Sequence, residues 1–195
     1  IRAIYGPFVL VHSPLNAGGI AALAIILSAI LASGEYKEKI LHPPVPAGLA
    51  LCCVLAPIAL VFAPTLSFPL LSDDWTHIFT VTHGGDGYPV HVFLVSGSDH
   101  FFRPVTMVTY YFDQFWAGLI PWRWHLASFV LHLANTALVF MLARRLGFSV
   151  FSSSAAALLF GLQGTRPEAV LWLAARFDVL ALFFALLTLI FWLKF

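Results

Sequence analysis

Long apolar runs constrain this chain more than any other feature. Ala17–Ala32, Ala47–Leu66, His125–Leu146, Val150–Leu162 and Val179–Leu193 carry few charges between them, and a bilayer core of ~30 Å asks for ~20 mainly apolar residues per helix. Backbone in lipid must satisfy its own N–H and C=O groups, so such runs are expected as helices. Composition agrees: the 195 residues are 61% hydrophobic and 10% charged, with mean hydropathy +0.92, where soluble domains hold roughly 25% charged residues. The expected fold class is all-α, a polytopic transmembrane helix bundle with a long outer loop and an interfacial amphipathic helix. A net charge of +1 points to no nucleic-acid or acidic partner. Cys52 and Cys53 are adjacent, which suits neither a disulfide nor a metal site. No basic, apolar and cleavage regions follow one another as in a signal peptide. With Ile1 first and Phe195 closing an apolar run, the chain reads as a fragment of a longer protein, inactive by itself.

Polar punctuation separates the runs. The first follows a Pro/Asn/Gly break at residues 14–19, and the second follows Pro43, Pro44 and Pro46. Pro57 inside the second is tolerable, because neighbouring helices can satisfy the freed carbonyl. Ser72–Phe102 holds four Asp, four His and a Gly-rich stretch, and is expected to be the long polar loop. Arg103–Gly118, rich in Tyr, Phe and Trp, suits a helix lying in the membrane interface, and Pro121, Trp122 and Trp124 mark where the chain dives. Gln163–Asp178 is too polar to face lipid. Lys37, Lys39, Arg144, Arg145 and Lys194 fall at one set of span ends, which the positive-inside rule makes cytoplasmic. Both polar segments then lie on the opposite side, where charges of both signs suggest a site.

Asp73 and Asp74 are two adjacent carboxylates at a membrane surface, where mutual repulsion and partial burial raise one pKa toward that of a general base. A helix N-cap with a solvated neighbour explains the same pair. His77, His83, Asp86, His91, Asp99 and His100 have no recognised metal-ligand spacing, so no metal is expected. Arg103, just before Pro104, is suited to hold a lipid-linked phosphate near helix-start N–H groups or to anchor the helix to headgroups. His125, Ser128, His132 and Asn135 share one helical face, so interhelical hydrogen bonding is expected, with substrate contact by His125 as an alternative. Glu168, Arg176 and Asp178 lie close to the membrane and should be paired, since a lone charge there is costly. No phosphate loop, Ser/His/Asp order or Cys/His pair supports a soluble nucleotide or hydrolase enzyme.

Asp73-Asp74-Trp75, Phe102-Arg-Pro-Val105, Trp124-His-Leu to His132-Leu-Ala-Asn135, and Arg166-Pro-Glu-Ala-Val to Arg176-Phe-Asp178 occur in this order. Together they resemble the N-terminal membrane half of GT-C superfamily glycosyltransferases, in particular the protein O-mannosyltransferase-like group with the transmembrane and tetratricopeptide-repeat-containing proteins. The resemblance covers about 47–195, part of a membrane domain truncated at its C-terminus, and leaves 1–46 as a segment with an extra transmembrane helix. It implies inverting transfer of a sugar, mannose being the candidate, from a polyprenyl-phosphate carrier to an acceptor protein or glycan on the lumenal or periplasmic side. The membrane would be the endoplasmic reticulum or a bacterial inner membrane, with membrane lipid as a further partner and no cofactor beyond the lipid-linked donor, itself a substrate. Asp73 and Asp74 would then supply the base and Arg103 the phosphate contact, with His125, Arg166, Glu168, Arg176 and Asp178 framing the substrates. The family often has a His-Pro pair and a second His before this Glu; here Gln163, Gly164 and Arg166 stand there. Two other classes stay open. One is a secondary transporter, although its site would sit near the midplane on broken helices whereas these charges cluster at span ends; the other is a non-catalytic membrane scaffold.

Overall fold

The computed structural model describes residues 45–84, 88–93, 102–163 and 168–193. Helix α1 (Ala47–Phe62) runs on through a 3-10 turn at Ala63–Ser67; α2 (Ser72–His83), α3 (Tyr88–His91) and α4 (Pro104–Ala117) follow. Next come α5 (Pro121–Arg145), α6 (Val150–Gly161), the single-turn α7 (Glu168–Leu171), a 3-10 turn at Leu173–Ala175 and α8 (Arg176–Trp192). No strand occurs among the described residues, so the fold is an all-α bundle. Three helical stretches are long and apolar enough to cross a membrane: Ala47–Ser67, Pro121–Arg145 and Leu173–Trp192. The protein is therefore an integral membrane protein. The expected span Ala17–Ala32 lies outside the described residues.

Two expectations change. Ser72–Phe102 is not loop throughout, because it opens with the 12-residue α2. Asp73 and Asp74 sit in the first turn, where helix-dipole charge favours carboxylates, and Asp74 Oδ2 accepts from Leu71 N–H at 2.8 Å, closing an otherwise open helix start. Apolar side chains at Ile78 and Val81 then bury on one face. The second change concerns Val150–Leu162, whose apolar run reads in sequence as crossing back. α6 has 12 residues, or about 18 Å at 1.5 Å per residue, so it does not cross a ~30 Å core alone and a crossing there needs residues beyond Gly161.

The chain divides into two compact units. One comprises Ile1–Ala59, Thr136–Pro167 and Leu186–Phe195. There, Ser149 caps α6 by accepting from Ser152 N–H at 3.1 Å. Gly161 is buried where a Cβ would run into Ile58 and come within 3.0 Å of Thr136 Oγ1, a close approach typical of small residues between membrane helices. Arg145 donates to the Ile190 carbonyl at 3.2 Å. The other unit comprises Leu60–Asn135 and Glu168–Ala185 and holds the site. Its core joins Leu70, Ile78, Val81, Tyr110, Trp124 and Leu173. Helix α4 buries Thr106, Tyr110, Asp113 and Ala117 on one face and exposes Phe112 and Phe115 on the other, the two-sided pattern read as interfacial in its sequence. Gly118, at φ 54°, ends it in a conformation that costs glycine little.

Candidate functional site

Asp74 anchors the site. It is fully buried, and each carboxylate oxygen accepts a backbone N–H: Oδ2 from Leu71 at 2.8 Å, Oδ1 from Ala174 at 2.9 Å. The second bond ties α2 to a turn a hundred residues further along the chain. Burial pushes the Asp74 carboxyl above the ordinary aspartate value, against the pull of both N–H donors and of His125 and His77. Asp73, the next residue back, is exposed. One member of the pair is thus pinned at the helix start and the other is exposed, as in the capping reading, except that Leu71 holds the N-cap position and Asp74 bonds back to it from the third helical residue.

Arg176, at the head of α8, has no exposed surface. Its guanidinium donates to Asp113 Oδ2 at 2.5 Å, Trp124 O at 2.7 Å, Thr109 Oγ1 at 3.2 Å and Ser128 Oγ at 3.3 Å, and lies 4.6 Å from the Tyr110 ring centre. One side chain so joins α4, α5 and α8. Glu168, Arg176 and Asp178 are each expected to be paired, by partners the sequence does not specify; the carboxylate partner of Arg176 is Asp113. The physical reason is burial: a guanidinium out of water needs a carboxylate in the same dry environment, whereas Glu168 and Asp178 are exposed. Burial also raises the Asp113 carboxyl, opposed by Arg176.

Tyr110 completes the cluster. It is 1% exposed, its hydroxyl donates to the Leu173 carbonyl at 2.6 Å, and His77 stacks on it with ring centres 5.4 Å apart. Its hydroxyl pKa is raised, chiefly by burial. Of the polar face on α5, Ser128 meets Arg176, and Asn135 Nδ2 donates to the Val179 carbonyl at 2.8 Å, so these two do bond between helices. His132 packs at a tilt against Phe62, with ring centres 4.7 Å apart and planes at 55°. His125 is fully buried beside Asp74 and the Phe68 backbone, and neither ring nitrogen reaches good hydrogen-bonding geometry.

Asp74 and Arg176 therefore both lie within electrostatic reach of His125, while Asp73, Glu168 and Asp178 are exposed. Arg103 is half-buried at the start of α4, with its guanidinium 3.7 Å from the Phe177 ring centre, a cation–π contact that fixes its direction. Arg166 lies outside the described residues, as do Asp86, Asp99 and His100. Among the described residues no three His, Cys, Asp or Glu side chains are placed to hold a metal ion. Tyr110, Asp113 and Thr109 were not read as site residues from sequence. The available signal was the line Thr106, Tyr110, Asp113, Ala117 at steps of four, three and four, which puts two polar groups and an acid on the buried face of α4.

Fold and site together define a polytopic α-helical membrane protein with a buried acid–guanidinium cluster beside exposed carboxylates. Its similarity is to protein O-mannosyl-transferases, as the motif order indicated. It is 32% identical to protein O-mannosyl-transferase TMTC2 of Mus musculus and of Homo sapiens over 120 residues, 62% of this chain and 14% of each relative. To the protein O-mannosyl-transferase Tmtc2 of Drosophila melanogaster it is 35% identical over 100 residues, 51% of this chain and 11% of that relative. The chain thus spans about one seventh of the curated mammalian relatives it matches. No family model matches it, and no solved structure does.

Proposed function

We propose that this membrane region serves a glycosyltransferase that moves mannose from a polyprenyl-phosphate carrier to a protein hydroxyl, with Asp73 as general base. The observation that carries the reading is the contrast within the acidic pair: Asp74 is spent on two backbone amides, while Asp73 is exposed one residue away. The name shared by the relatives supports mannosyl transfer to protein. In the reaction the acceptor oxygen attacks the anomeric carbon from the face opposite the phosphate, so the configuration inverts. The acceptor proton passes to Asp73 as the new C–O bond forms. The bond to the carrier oxygen breaks, and polyprenyl phosphate leaves as an anion that needs cationic stabilisation more than a proton. Arg103, aimed by its contact with Phe177, supplies that cation. Arg176 has its donors engaged within the protein and shapes the site instead of touching the phosphate; Glu168 and Asp178 frame the acceptor side.

The test is transfer from polyprenyl-phosphate mannose to an acceptor peptide by the full-length protein in detergent. Asp73→Asn is expected to lower turnover by at least about a hundredfold, within the range of general-base losses, with its melting temperature kept. Wild-type turnover retained by Asp73→Asn would remove the assignment of the base; no transfer from any donor by the folded wild-type protein would leave a transporter or a scaffold.

A further inference from the structure

We propose that Tyr110 is a positioning residue for the acidic pair: its hydroxyl and the Asp74 carboxylate clasp one short turn, Leu173–Ala175, from two different helices. This inference rests on the reading of Asp73 as the base. The turn offers adjacent backbone groups of opposite kind. Tyr110, from α4, donates to the Leu173 carbonyl at 2.6 Å; Asp74, from α2, accepts from the next residue's N–H, Ala174, at 2.9 Å. All three residues of the turn are buried, so water is poorly placed to replace either bond: without Asp74 the Ala174 N–H would be a costly unpaired backbone donor, and without the Tyr110 hydroxyl the Leu173 carbonyl would keep one of its two donors. The same Leu173 carbonyl accepts from the backbone N–H of Arg176 and so closes the turn onto α8.

The consequence reaches the exposed carboxylate. Asp73 sits on the same first turn of α2 as Asp74, so whatever fixes Asp74 against the Leu173–Ala175 turn also fixes Asp73 against the segment that carries Glu168. Tyr110 is the second hand of that clasp. Its ring is held independently, by His77 stacked on it and by the Arg176 guanidinium lying over it. A phenylalanine there would occupy the same place. Tyr110→Phe therefore removes one hydrogen bond with little other change, and reads the role of the hydroxyl alone.

The experiment uses full-length protein in detergent with two independent readouts. In the first, backbone hydrogen exchange across residues 173–176 is expected to quicken by roughly three- to tenfold in Tyr110→Phe, the scale of one net hydrogen bond. Exchange across 131–139 in the middle of α5 should stay unchanged. The second readout is the partition of mannose from its polyprenyl-phosphate donor between a peptide hydroxyl and water. A loosened Asp73 orients the acceptor less well, so the ratio of transfer to hydrolysis should fall several-fold in Tyr110→Phe; a smaller folded fraction cannot move a ratio. Asp74→Asn, which keeps at most one of the two acceptor oxygens, should lower the ratio too. If both residues hold one turn, the double variant falls no further than the worse single variant. Unchanged exchange at the turn, an unchanged ratio in a variant whose turn exchanges faster, or a fully additive double variant would each overturn the proposal. If the wild-type protein transfers no sugar, the proposed function fails and this positioning role with it, while the exchange readout separately shows whether the clasp exists.

Discussion

Asp73 and Asp74 carry the same side chain on consecutive residues and differ in surroundings alone. Asp74 is out of water and bonded to two amides; Asp73 is exposed. For Asp74 burial outweighs the N–H donors, so its folded pKa stands above the ordinary 3.8. A carboxyl with a raised folded pKa holds its proton more tightly folded than unfolded. Its contribution to stability is present in full below 3.8 and is lost as pH rises through the folded value. The melting temperature of the detergent-solubilised protein should therefore decline from acid toward neutral pH, and the decline should be shallower in Asp74→Asn. Asp113, raised in the same direction, keeps the slope from vanishing. An equal slope in the variant would show that Asp74 is not the group responsible.

Among elements, the joint of α4, α5 and α8 at Arg176 is the one a single substitution breaks most completely. Its guanidinium meets a carboxylate, a carbonyl and two hydroxyls, all from α4 and α5. Arg176→Gln leaves Asp113 buried without a counter-charge, a loss of about 3–5 kcal/mol. A clear drop in thermal stability in detergent is expected, measured beside the double variant Arg176→Met/Asp113→Leu. The double variant should recover much of the loss, since an apolar pair of similar volume avoids both desolvation costs. Equal stability of Arg176→Gln and wild type would mean that the joint carries no load. α2 shows the same logic at its start, where the Asp74 side chain takes up an amide that the first turn leaves open.

For the whole molecule, membrane crossing is the property with the widest consequence. α5 is 25 residues long, about 37 Å at 1.5 Å per residue, enough to pass a ~30 Å core with both ends in the interfaces. Trp122 and Arg123 stand at one end, Arg144 and Arg145 at the other. Trp122 and Leu146 are exposed, so cysteines placed at these two positions, after Cys52 and Cys53 are changed to Ala, should react with an impermeant thiol reagent from opposite faces of sealed vesicles. Leu146→Cys is expected on the cytoplasmic face, following the positive-inside rule. Labelling of both from one face would remove α5 as a span.

Apolar runs mark all three spanning stretches, because a hydrocarbon solvent leaves backbone few choices, but the third stretch begins at Leu173, six residues before its run and inside the segment read as too polar to face lipid. The order of short motifs carried the similarity to protein O-mannosyl-transferases, and the step pattern along α5 announced its buried polar face. The helix at Ser72–His83 was hidden, since its start depends on one side chain bonding back to Leu71 and its buried face on packing against α4 and the Leu173–Ala175 turn. The partner of Arg176 was hidden for a similar reason: Asp113 lies 63 residues away, and which acid follows an arginine out of water is decided by the helices that meet there. The division between Asp73 and Asp74 belongs to tertiary structure as well. Two identical neighbours become different only when a turn a hundred residues away claims one of them.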